Sequence, residues 1–291
     1  SLFESLDSNG TISLGSLFMG EKVAPATCDK TLNDYAQYAC RGGWPKSVGA
    51  SEKVSIEIAR NYYSGLIEND IKDIDGASRD TDKLKAFMRS YARNISTECS
   101  IQTLANDIKE YDNKTVSDET IRSYIKALEN LYVIEDIKAW SPNLRSKTTI
   151  RTSPTRHFID PSIACRALGA YKEDLINDLK TFGLIFEDMA IRDLKTYADK
   201  LGGEVYHYRD RNGLEADAII HLENGKWAAF EVELRDSDRI EEGAINLLKL
   251  ARLIDEQKMK KPAFLMVITA TEYAYQREDG AWIVPLACLR D

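Results

Sequence analysis

Residues 215–234, EADAIIHLENGKWAAFEVEL, constrain the fold more than any other stretch of the chain. Successive side chains of a β-strand point to opposite faces. Ala216, Ala218, Ile220 and Leu222 therefore share one side of a first strand, and Ala228, Phe230, Val232 and Leu234 one side of a second. The opposite sides carry Asp217 on the first strand and Glu231 and Glu233 on the second. A two-residue Asn224-Gly225 turn would set Glu223 against Lys226 and throw the two apolar faces to opposite sides of the sheet. Burying those faces together predicts a three- or five-residue loop with a bulge. That register places Asp217 opposite Glu231 or Glu233 and gathers the carboxylates into one acidic patch.

A further acid comes from the helix expected before these strands. At about 100° per residue, Leu184, Ala190, Ile191, Leu194, Ala198 and Leu201 fall within about 60° of Glu187. Asp188, Arg192, Lys195 and Asp199 fall on the other side, where solvent is expected. A carboxylate in an apolar stripe needs a cation or a donor. Several carboxylates at one place repel each other without a counter-charge. Oxygen-only ligands suit Mg²⁺ or Mn²⁺, which activate water for phosphodiester hydrolysis. The competing reading leaves Asp217, Glu231 and Glu233 on an uncovered sheet face, paired with Arg or Lys.

A chain of 291 residues, 43% hydrophobic, has enough apolar side chains for two or three domains. Residues 1–75 read as helices and loops, interrupted at CRGGWPKSVG, with a helix opening at Ser51. Residues 76–140 read as a winged helix-turn-helix: DKLKAFMRSYARN, SIQTLANDIKE and SDETIRSYIKALENL as helices, then LYVIEDIKAW as a β-wing. Residues 141–157 form a basic linker. From 158 to 291 helices mix with the strands EVYHYRD, LEADAIIHL, KWAAFEVEL, AFLMVITA and WIVPLACL, and EEGAINLLKLARLIDE is the helix between the third and fourth. DLINDLKTFGLIFEDMAIRDLKTYADKLGG reads as helical up to Gly202-Gly203. The expected class is multidomain, α plus α/β.

Net charge −8 argues against wholesale adhesion to nucleic acid, so any DNA contact must be local. The segment 138–157 offers Lys138, Arg145, Lys147, Arg151 and Arg156 and no acid. The third helix of the winged unit adds Arg122 and Lys126 beside acidic neighbours. No apolar run reaches the roughly 18 residues of a membrane helix, and SLFESLDSNG has no signal-peptide pattern. The five cysteines, scattered and without C-x-x-C spacing, indicate neither a disulfide framework nor a zinc site. A cytoplasmic protein is expected.

Glu187 on a helix, Asp217 on one strand and Glu231-Val232-Glu233 on the next resemble the restriction-endonuclease-like PD-(D/E)XK core. SLFESLDSNGTISLGSLF, CRGGWPKSVG, ARNISTECSIQTLANDI, LENLYVIEDIKAWSPNLRSK, RHFIDPSIACRALGA and YHYRDRNGLEADAII resemble the region after the ATPase core in bacterial AAA-family ATPases with a DUF4143 domain. The resemblance implies a mixed sheet flanked by helices over 158–291, and a C-terminal module whose own N-terminal AAA domain would bind ATP. The chain itself has no G-x-x-x-x-G-K-[ST]. It further implies that Glu187, Asp217 and Glu231, with the Val232 carbonyl, hold Mg²⁺ or Mn²⁺ and that DNA is the substrate. Glu233 stands where the family pattern has Lys, as the candidate base. Lys226 points to the other face by parity, whereas Lys249 and Arg252 on the following helix could supply the cation. A catalytically inactive nuclease-like module for regulation or protein interaction is the alternative, and an oligomer is compatible with either.

Overall fold

A computed structural model describes residues 1–70, 80–141, 153–254 and 259–291. Arg145, Lys147 and Arg151 lie outside the described residues. In chain order the elements begin with β1 (Ile12–Ser13), α1 (Leu14–Met19), β2 (Ala26–Thr27), α2 (Leu32–Arg41) and α3 (Glu52–Gly65). Then come α4 (Thr81–Arg93), α5 (Ile101–Asp112), α6 (Asp118–Asn130), α7 (Pro161–Leu168), α8 (Lys172–Asn177) and α9 (Leu179–Lys200). The remainder is β3 (Gly203–Arg209), β4 (Glu215–Leu222), β5 (Trp227–Glu233), α10 (Ser237–Leu253), β6 (Leu265–Thr269), β7 (Tyr273–Gln276), β8 (Trp282–Pro285) and β9 (Leu289–Arg290).

The chain forms two compact units. A sheet unit comprises Ser1–Tyr35, Ile137–Thr152 and Ala190–Asp291, and a helical unit Ala36–Asp136 and Ser153–Met189. Each draws on separated stretches of sequence, unlike the consecutive segments 1–75, 76–140, 141–157 and 158–291 read from the sequence. The difference arises because β2 pairs with β7, and β1 runs parallel to β9, so the N-terminal residues complete the C-terminal sheet.

The main sheet of the sheet unit has seven strands among the described residues, in the order β2-β7-β8-β6-β5-β4-β3. β3, β4 and β5 are antiparallel neighbours; β6 lies parallel to β5, as its connection through α10 requires. Asp236 caps α10, its carboxylate accepting from the amides of Asp238 and Arg239. Ile219, Trp227, Ala229, Leu265, Val267 and Ile283 pack with Ile240, Ala244, Leu247 and Leu250 of α10 in one buried cluster. β5 is buried on both faces up to Val232. The uncovered face of the competing sequence reading does not exist there.

The helical unit is built around Leu84, Phe87, Met88 and Tyr91 of α4, with Leu104, Ile108, Ile121, Tyr124, Leu128 and Phe158 in the same core. The three helices of the expected winged unit form as α4, α5 and α6. Asp80, Ser100 and Ser117 cap them by accepting the second- or third-residue amides. The β-wing does not follow as a continuous strand: Ile134 makes an isolated antiparallel bridge to Phe158. Asp160 caps α7, and its two oxygens accept the amides of Ser162 at 3.0 Å and Gly43 at 2.7 Å. The CRGGWP break is thus a clamp on a helix start. Gly42, at φ +75°, leaves no room for a side chain, since a Cβ there would stand 2.3 Å from Asp160 Oδ1.

The expected single helix over DLINDLKTF divides at Asp178, whose carboxylate accepts the Thr181 amide and starts a new helix. Of α9, residues to Met189 belong to the helical unit and residues from Ala190 to the sheet unit. Its expected solvent side is not solvent-facing. Asp188 is fully buried, its Oδ1 accepting the Phe158 amide at 3.1 Å and lying 3.1 Å from Nδ1 of His157. Arg192 and Lys195 are half-buried and only Asp199 is exposed.

A carboxylate face under α10

β4 and β5 take the register that burial of their apolar faces predicts. Ala218 pairs with Phe230, Ile219 with Ala229, Ile220 with Ala228 and His221 with Trp227. The loop is the three-residue form, closed by Leu222 N donating to Lys226 O at 2.8 Å, with Gly225 at φ +78°. A glycine is needed there because the last loop residue is left-handed.

The paired ladder stops at Ala218 and Phe230, one residue short of Asp217 and Glu231. There the Val232 amide donates to Asp217 Oδ2 at 2.7 Å, a side chain replacing the partner strand's carbonyl. Glu231 and Glu233 pair in the backbone with Val267 and Thr269 of β6 and share the α10 side of the sheet with Asp217. Glu231 is buried, 6% exposed, and its Cβ is 3.3 Å from where a Cβ on Gly243 of α10 would stand. The missing side chain of Gly243 is what lets the helix lie on the acidic strand.

Glu233 is half-buried at the end of β5. Burial first, and the Asp217 charge second, push its carboxyl up to about 7, with Asp236 and Glu242 adding to the rise. The opposing charge is Arg239, in the first turn of α10. This corrects the expectation for Lys249 and Arg252, which are both exposed; Lys249 donates to Asn246 Oδ1 at 3.2 Å. The signal for Arg239 was present in sequence: α10 starts four residues after β5 ends, so its first turn overhangs the strand end. Lys226 lies on the other face as parity requires, donating to Phe18 O at 2.7 Å.

Glu187 is half-buried in the helical unit, whereas Asp217, Glu231 and Glu233 belong to the sheet unit. The helix over the acidic face is α10, and Glu187 is on α9. Among the described residues no group of three or more Asp, Glu, His or Cys side chains is arranged to hold a metal ion. One Asp217 oxygen receives the Val232 amide, and Glu231 is closed in under α10 with its Oε1 buried and without a hydrogen bond among the described residues.

The candidate DNA-contact residues separate into two kinds. Lys138, Arg122 and Lys126 are exposed. The Lys138 carbonyl accepts the His207 amide at 3.0 Å, and two residues on, Trp140 packs against Trp227 with ring centres 4.8 Å apart and donates to His221 Nδ1 at 3.3 Å. Arg156 is 8% exposed, ion-paired with Asp136, and donates from Nε to Cys99 O at 3.2 Å. It is a core residue and not a phosphate contact. Arg in a Ser/Thr/Pro-rich run is ordinarily exposed, and the pairing with Asp136 that draws this one inside has no local signal.

Comparison with known families bears on both units. Residues 182–289 match DUF4143. This domain of unknown function is known from AAA ATPase-associated proteins, and its match here runs from α9 to the C-terminal strands. Residues 32–174 match a second domain of unknown function, DUF8612. An uncharacterized protein of Haemophilus influenzae is 24% identical over 204 residues, covering 70% of this chain and 47% of that protein. The chain thus spans about half the length of the curated relative it matches. All of the strand carboxylates fall inside the DUF4143 segment. No helix among the described residues is long and apolar enough to cross a membrane.

Proposed function

We propose that this chain is the part of an AAA-ATPase-associated protein that follows its ATP-binding domain, and that it serves as a regulatory or protein-interaction module on a nuclease-like scaffold. It contacts DNA through exposed cations and does not cut it. The placement of the strand carboxylates carries this reading. One Asp217 oxygen accepts the Val232 amide at the end of the β4–β5 ladder and Glu231 is closed in under Gly243, so both acids have structural places in the sheet end. A Glu replaces the expected Lys at position 233, which removes the cation that would steady developing negative charge. The experiment is incubation of the purified chain with linear, nicked and branched DNA in Mg²⁺ or Mn²⁺. Intact DNA is expected in every case. Metal-dependent cleavage that disappears in Asp217→Ala would overturn the reading.

One observation favours the second reading, a phosphodiesterase. Glu233, raised to about 7, lies in the range of a working general base and shares a face with Asp217. In that reading the cleavage rate rises with pH through about 7 as Glu233 loses its proton, and Glu233→Gln abolishes it.

A further inference from the structure

Four of the five cysteines stand as neighbouring thiols, Cys28 with Cys288 in the sheet unit and Cys40 with Cys165 in the helical unit. Their sequence separations conceal this, because β2 and the turn after β8 are brought together only by the sheet order. Cys28 follows β2 at the sheet edge, where its amide donates to Glu272 O at 2.7 Å. The Lys30 amide donates to its Sγ at 3.3 Å, and the Tyr35 hydroxyl lies 3.8 Å from it. The Ala287 amide donates to the Tyr35 oxygen at 3.2 Å, and the Tyr35 hydroxyl is one of the hydrogen bonds that lower the Cys28 thiol. Cys288 supplies a third donor and is the largest cause of a Cys28 thiol lowered to about 6, against the opposing effect of burial. Cys288 is pushed up in turn, since it keeps the proton of the pair. Cys28 retains 5% exposure and Cys288 none.

We propose that Cys28 and Cys288 form a peroxide-reactive modification site, with Cys28 the attacking sulfur and Cys288 the resolving thiol. The Cys28 thiolate attacks one oxygen of a hydroperoxide and the O–O bond breaks. For hydrogen peroxide, the leaving hydroxide takes a proton from solvent and departs as water, and Cys28 becomes a sulfenic acid. Cys288 then attacks the Cys28 sulfur, its proton going with the displaced hydroxide as a second water. Two thiols lose two electrons to one peroxide, and a disulfide joins the two cysteines.

The molecule contains its own controls. Cys40 and Cys165 are neighbours but 0% exposed, so peroxide has no route to them. Cys99 has comparable exposure, 4%, but burial pushes its thiol up to about 11, and its Sγ donates to Ser100 O.

The test treats the full chain with a small excess of hydrogen peroxide and maps its peptides by mass spectrometry without reduction. The expected product links the Cys28 and Cys288 peptides with loss of two hydrogens. Its rate levels off above about pH 7, one unit past the Cys28 midpoint, whereas an ordinary thiol near 8.5 keeps accelerating. Cys288→Ser is expected to stop Cys28 at the sulfenic acid, captured by dimedone. Tyr35→Phe is expected to move the midpoint upward in the alkylation of Cys28 by iodoacetamide, a reading that also serves if the serine variant does not fold. The proposal is overturned if native wild-type chain forms no such link, or if Cys28 reacts no faster than Cys99.

Discussion

Asp217 Oδ2 accepts the Val232 amide at 2.7 Å, at the point where the ladder between β4 and β5 has already ended. A carboxylate does the work of a missing backbone carbonyl. Asp217→Ala leaves a part-buried amide without its acceptor, which costs about 1–3 kcal/mol. Asp217→Asn keeps an acceptor oxygen and is expected to cost less than half as much in urea denaturation. Because the Asp217 charge is the second cause of the high Glu233 pKa, both substitutions are expected to lower that pKa. Carboxyl carbon chemical shifts followed through a pH titration read this directly.

Glu233 makes the stability of the sheet unit depend on pH. Its folded pKa of about 7 lies above the ordinary glutamate value of 4.5, so the folded protein binds this proton more tightly than the unfolded chain. The resulting stabilisation is fully present below about pH 4.5 and is lost as pH rises through about 7. Glu233→Gln removes the ionisation penalty and is expected to raise stability at pH 8 by about 1–2 kcal/mol, a figure reduced for the solvent contact of a half-buried group. At pH 4.5 the two proteins should melt together. Equal melting temperatures at pH 8 would contradict the account of this residue.

Gly42 and Asp160 tie the glycine-rich break to the start of α7. A side chain at position 42 meets Asp160 Oδ1 at 2.3 Å and Ser162 Oγ at 2.6 Å on a backbone with φ +75°. Gly42→Ala is therefore expected to destabilise the helical unit by about 2 kcal/mol or more. Asp160→Ala loses both the helix cap and the acceptor of the Gly43 amide, for about 1–3 kcal/mol. Thermal melting of the two single variants and the double variant should show that their effects do not add, because they break one contact.

Arg156 and the exposed cations are expected to respond differently to alanine substitution. Arg156→Ala leaves Asp136 with the Tyr91 hydroxyl but without its cation inside the helical unit, where burial already raises the Asp136 pKa, and should cost about 3 kcal/mol of stability. Lys138→Ala, Arg122→Ala and Lys126→Ala should leave melting unchanged and weaken DNA binding, with a shallower dependence on salt. Fluorescence anisotropy of a labelled duplex at several salt concentrations separates the two classes.

Local chemistry made the strand pair legible in sequence. Side-chain parity with one awkward Asn-Gly turn predicts a three- or five-residue loop and a shared face for Asp217 and Glu233; of the registers this leaves open, the structure takes Ala218 with Phe230 and the three-residue loop. The helices α4, α5 and α6 are likewise legible, as DKLKAFMRSYARN, SIQTLANDIKE and SDETIRSYIKALENL. Long-range pairing was not legible. The two-residue strands β1 and β2 are too short for a periodic signal, yet they carry the N-terminal residues into the sheet. For the same reason the Cys28 and Cys288 thiols looked unrelated. Helical projection of α9 failed because it assumes one wet side, and Asp188 and Asp193 are both buried: Asp188 beside His157, Asp193 accepting the Leu2 amide at 2.8 Å. A buried carboxylate with a dedicated partner cannot be told from a surface one by spacing alone.

The proposed function rests on Asp217 closing the end of the β4–β5 ladder and Glu231 lying under Gly243 of α10, so that neither acid serves a metal. Thermal unfolding of the chain with and without millimolar Mn²⁺ tests it most directly, because a ligand that binds the folded state raises the melting temperature. The account predicts the same melting temperature in both conditions. A marked rise with Mn²⁺ that Glu231→Ala abolishes would contradict it.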